Sequence, residues 1–152
     1  MSELSIQNAI KTMLQGMSEF ADGDVVINDW SILDDPNANA PYALIETADD
    51  FVSNQNSFTP ETTWHIRLTL VERFEDWETT YNNLRTRRQA VIDEFNEVGG
   101  NRSPGGGAVV CTSIRNGSAI LPLFNPNIPQ PQRANSDPIF ISQLILLEVE
   151  EY

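Results

Sequence analysis

The sequence predicts an α+β fold: a mixed or antiparallel sheet of about five strands packed against two helices, in the order α-β-β-β-α-β-β. Three observations lead there. Residues 3–20 and 77–98 each repeat apolar residues at steps of three, four and seven, the stripe of an amphipathic helix. Trp64, Ile66, Leu68 and Leu70 alternate with His65, Arg67 and Thr69, the period of a strand with one buried face. Short links between the early strand-like segments favour antiparallel pairing.

In chain order, the first helix carries Leu4, Ile6, Ile10, Met13, Leu14, Met17 and Phe20 on one face. After the turn Ala21-Asp22-Gly23-Asp24, residues 25–32 and 41–49 read as strands, separated by an Asp/Asn/Pro loop. Residues 53–61 read as a polar loop with Phe58 exposed. The segment from Thr62 to Gly99 organises the rest: a strand, a corner at Glu72–Asp76, and a long helix laid back over the strand. Asp76 is placed to cap that helix and Gly99 to end it. Strand and helix each span roughly 33 Å, at about 3.3 and 1.5 Å per residue, so the helix is expected to cover the strand end to end.

Beyond the helix, residues 99–107 hold five glycines and one proline and read as a flexible connection. Residues 108–115 read as a strand, and Asn116-Gly117 as a turn. Residues 118–138 hold five prolines, which oppose helix and interior strand, interleaved with apolar Leu121, Leu123, Phe124 and Ile128. Those apolar residues need something to pack on, in their own domain or in a partner. Residues 139–149 form a last strand, apolar on both faces and therefore central.

With 152 residues the chain reads as one domain, 1–152, large enough for a core. No apolar run is long enough to span a membrane, and the Met-Ser-Glu-Leu start does not resemble a signal peptide. One cysteine excludes an internal disulfide framework, and Cys111, in Val-Val-Cys-Thr, reads as a small buried hydrophobe. The formal net charge is −13, and residues 1–62 hold 11 acids against one base, Lys11. Binding to nucleic acid rests largely on neutralising phosphates, so a chain of this balance is not expected to grip DNA.

Asp35, Asn37, Asn39 and Glu46 fall at the first, third, fifth and twelfth places of a calcium loop. Ala40 stands where that loop requires glycine, Pro41 follows, and neither flank reads as helix, so the stretch is read as a turn. One Cys and one His cannot make a zinc site, and His65 reads as a surface residue. There is no Gly-x-Ser-x-Gly elbow and no Gly-Lys-Ser/Thr phosphate loop. No catalytic, metal or cofactor residues are assigned. Arg85, Arg87 and Arg88 form the densest basic cluster, and Arg88 falls inside the apolar stripe, where its stem reaches water or its fork meets a carboxylate of another subunit.

The layout resembles the tail terminator (tail-completion) proteins of long-tailed bacteriophages. The resemblance lies in the N-terminal amphipathic helix, the acidic strand pair at 25–32 and 41–49, and the Trp-x-Ile-x-Leu-x-Leu strand at 64–70. It continues in the Leu-x-x-x-Arg-x-x-Val-Ile helix segment at 84–92 and the last strand ending in acids at 138–151. The Pro-rich insert departs from the pattern. The resemblance implies a non-enzymatic virion protein, made in the host cytoplasm, that needs no cofactor. Copies of it form a ring, commonly a hexamer, capping the tail tube and joining it to the head connector or stopper while DNA passes through the lumen unbound. Asp34, Asp35, Asp49 and Asp50 are then expected to face that lumen, and Phe58, Arg85, Arg88, Leu123, Phe124 and Ile128 to meet a neighbouring subunit or partner. The second reading is a small acidic binding module, with calcium as the ligand to test.

Overall fold

The computed structural model describes residues 3–20, 24–34, 41–48, 52–55, 60–96, 104 and 109–151. The elements are α1 (Glu3–Gln15), β1 (Val25–Ile27), β2 (Tyr42–Thr47), β3 (Val52–Gln55), β4 (Pro60–Arg73), α2 (Trp77–Phe95), β5 (Val109–Asn116), β6 (Leu121–Leu123) and β7 (Phe140–Glu151). The fold is α+β, with a mixed sheet and two main helices, as expected. Five strands run across the sheet in the order β1-β2-β4-β7-β5, while β3 adds to β4 and β6 to β7.

The two extra strands are continuations. β2 and β3 pair with the same strand, and the register shifts between Thr47↔Ile66 and Val52↔Thr63. β5 and β6 likewise both pair antiparallel with β7. At the second interruption, Gly117 N donates to Leu144 O at 2.8 Å, and Ser118 Oγ accepts from Leu144 N at 3.1 Å. A hydroxyl there does the work of a ladder carbonyl.

Both helices lie on one face of the sheet. That face contributes Ile45 from β2, Trp64, Ile66, Leu68 and Leu70 from β4, Cys111 from β5, and Ile141, Ile145, Leu147 and Val149 from β7. The helices bring Ile6, Ile10, Met13 and Leu14, then Leu84, Val91 and Phe95. Asp76 caps α2, accepting from Thr79 N at 2.8 Å, which holds its carboxyl below the usual range. The layers are joined by Arg87, which donates to the Glu72 carboxylate and to the Glu19 carbonyl and lies over the Phe20 ring. Glu72 is buried, and that burial raises its pKa despite the arginine.

Six expectations are corrected. β1 stops at Ile27 because Asn28 turns the chain out with φ of 54°, a left-handed conformation asparagine tolerates. β1 and β2 are parallel, since the residues between Ile27 and Tyr42 are numerous enough for a crossover. The polar loop at 53–61 begins and ends in strand, as β3 and the start of β4. Leu121–Leu123 is a strand despite Pro122, because it sits on an edge. β4, at 14 residues, spans roughly 46 Å against roughly 28 Å for the 19 residues of α2, so the helix covers only part of the strand. Leu4 and Trp77, both placed in apolar stripes by the sequence, are 58% and 45% exposed.

Candidate functional site

Among the described residues, the second face of the sheet is only half covered. At one end Tyr42, Leu44, Val71 and Phe140 form a small core under Leu33, Leu123 and Ile139. Further along the strands that cover stops. Antiparallel register sets residues side by side: Glu46 opposite Arg67, Arg67 opposite Leu146, and Leu146 opposite Arg115. The next row holds His65, Glu148 and Ser113. Leu144, Leu146, Arg67, Arg115 and the His65 row line a depression of about 470 Å³ that also touches Ala48.

The floor is shaped by a missing side chain. A Cβ at Gly117 would stand 2.7 Å from Leu146 Cγ and 3.1 Å from Leu144 Cγ, so glycine lets both leucines lie flat. The rim is charged. Arg67 Nε lies 3.5 Å from Glu46 Oε1, and His65 Nε2 lies 3.8 Å from Glu148 Oε2. Both are exposed pairs of small energetic weight. Arg115 is exposed and has no ion-pair partner among the described residues. The position is held from behind: Arg88 Nη1 donates to Gln143 Oε1 at 2.9 Å, and Gln143 Nε2 donates to Ser118 O at 3.0 Å.

His65, Glu148 and Ser113 contain the residue types of a hydrolytic triad, but the carboxylate stands between the other two. With strands about 4.8 Å apart, His65 and Ser113 are roughly 10 Å apart, too far for the imidazole to take the hydroxyl proton. Among the described residues no group of three His, Cys, Asp or Glu is placed to hold a metal. Among them, too, no helix is long and apolar enough to cross a membrane. What remains is two guanidinium groups able to grip carboxylates, on either side of an apolar strip.

Of the residues singled out from sequence, those that the structure describes do not gather here. Phe58, Asp35, Asp49 and Asp50 lie outside the described residues, as do Asn37 and Asn39 of the calcium-like stretch. Asp34 is exposed at the end of a short 3-10 turn, Ser31–Asp34. Arg85 is exposed, its guanidinium 5.6 Å from the Tyr81 ring centroid. Arg88 is half buried and turned to Gln143 of its own chain. Leu123 packs into the small second core. Phe124 and Ile128 are half buried, and the Ile128 carbonyl accepts from Arg133 Nε at 3.0 Å. Cys111 is buried, as read from its neighbours.

Arg67, Arg115, Leu144 and Leu146 were missed as a site. The signal was present: a central strand apolar on both faces needs cover on both, and the sequence offers only two helices. No family model matches the chain, and no curated protein matches it.

Proposed function

We propose that this chain is a structural, ring-forming subunit of the tail terminator kind, capping the tail tube of a long-tailed bacteriophage and joining it to the head connector. The observation that carries the reading is the second face of the sheet, half of it uncovered among the described residues, with its apolar strip and arginine rim, on a chain of net charge −13. A subunit that works by assembling with copies of itself needs such a face. The resemblance of layout supplies the rest: a hexameric ring, contacts with tube and connector proteins, and residence at the head-proximal end of the tail. The excess of acids in residues 1–62 suits a lumen past which DNA slides, since like charge keeps the polyanion from sticking. The role calls for no catalysis and no cofactor.

Electron micrographs and native mass measurement of the purified protein test it, with annular particles of a fixed subunit number as the expected result. A strict monomer at high concentration, alone and with tail tubes, overturns the reading. So does tight retention of DNA at moderate salt.

A further inference from the structure

We infer that the turn after β1 of one copy docks into the open half of the sheet of the next copy, Trp30 lying on Leu144 and Leu146 while Asp29 and Asp34 meet Arg115 and Arg67. This rests on the proposed ring-forming role and names the contact that would build the ring.

The turn and the open face complement each other in charge. The turn presents Trp30, 40% exposed, between Asp29 and Asp34, both exposed. The depression presents Leu146 between Arg67 and Arg115. Each surface is thus an apolar centre flanked by charge: acids alone on the turn, and on the depression two arginines, one of them shared with Glu46. The turn is also pre-formed. Asn28 N donates to Ile45 O at 2.9 Å, Leu33 N donates to Trp30 O at 3.1 Å, and Asp29 Oδ1 accepts from Ser31 N at 3.0 Å and Ser31 Oγ at 2.6 Å. Gln7, buried in α1, brackets Asn28 through its side-chain amide. A turn fixed this way loses little freedom on docking.

Placement makes the contact one between copies. β1 and β5 lie at opposite ends of the strand order, four steps apart, so the turn and Arg115 are separated by roughly 19 Å at about 4.8 Å per step. A chain acidic at one flank and open to acids at the other associates head to tail, the geometry that closes into rings. The acids already on the face do not block it. Glu148 faces His65, Glu46 meets Arg67 only through Nε at 3.5 Å and so leaves its other N–H groups for Asp34, and Arg115 has no ion pair among the described residues.

The test uses two variants of the full chain, Trp30→Glu with Asp34→Arg on the turn, and Arg67→Glu with Arg115→Glu on the face. Self-association is followed by sedimentation at low and high salt, with circular dichroism to confirm folding. Each variant alone is expected to associate at least about tenfold more weakly than the unaltered chain, whose own association falls as salt rises. An equimolar mixture is expected to form a one-to-one dimer that grows no further, because only one intact turn and one intact face remain. Rings undiminished in Arg67→Glu with Arg115→Glu would overturn this contact and leave the ring reading standing. A mixture that stays monomeric overturns the contact as well, and an unaltered chain that never associates overturns both.

Discussion

Replacing Arg87 by methionine removes a charge that three elements share. Its guanidinium joins the Glu72 carboxylate on β4 to the Glu19 carbonyl after α1 and rests against Phe20. The side chains of Arg87 and Glu72 are only 17% and 7% exposed. Methionine preserves the stem but leaves Glu72 charged, buried and alone. Breaking a buried pair on one side costs about 3–5 kcal/mol, and the residual exposure of Arg87 favours the lower end, about 3 kcal/mol. For a domain of this size that is a fall in melting temperature of roughly 6–12 °C. The pH dependence has a definite sign. Burial already holds the pKa of Glu72 above its ordinary value, so the folded state binds the proton more tightly than the unfolded chain does. The ionised carboxylate therefore lowers stability above its folded pKa, and this loss is relieved as pH falls through that pKa toward the unfolded value. Without Arg87 the pKa rises further, so the gap between Arg87→Met and the unaltered chain should narrow from pH 7 to pH 5. Urea unfolding at both pH values measures it. A loss below about 1 kcal/mol at pH 7, or one that does not change with pH, would refute the account of Glu72 as a strained, arginine-dependent carboxylate.

Other expectations follow from single features. Leu84→Ala, at a side chain with no exposure at the centre of α2, should cost about 2–5 kcal/mol in chemical unfolding. Gly117→Ala should cost about 1–3 kcal/mol by pushing Leu146 and Leu144 off the sheet, and in the unaltered-charge background it should also weaken self-association. Asp76 has a lowered pKa through its cap on Thr79, so the stability it contributes is present above its unfolded value and is lost as pH falls through the folded one. Asp76→Asn keeps a capping oxygen without the titration, so its acid unfolding midpoint should change while stability at pH 7 stays close to that of the parent.

The elements legible in sequence were those with a strong period. The alternation of Trp64 to Leu70 located β4, and the two-faced apolar run of residues 139–149 marked a central strand, which in the structure is β7 between β4 and β5. Asp76 was readable as a cap because its side-chain chemistry is local. What escaped notice depends on partners distant in sequence. Parallel pairing of β1 with β2 is set by where the chain crosses, which composition does not encode. Trp77 satisfied the helix period yet lies outside, because the cover of β4 by α2 is partial and Phe74 and Tyr81 give it a stack at the surface. Arg88 looked like an outward-reaching charge, and its amide partner Gln143 stands 55 positions away. The open face was hidden for the same reason: Arg67 and Arg115 become neighbours only through Leu146 between them.

Pro122 sits in the outermost ribbon of the sheet, opposite Ile141. Its neighbour Leu123 turns its carbonyl inward, accepting from Ile139 N at 2.8 Å, so the backbone of Pro122 points the other way, toward solvent. An imide nitrogen there offers nothing to an arriving strand, and zippering of stray sheets along that border is discouraged at one end. Lateral extension of the sheet on this flank is left to the backbone of Val109–Asn116, the strand that carries Arg115.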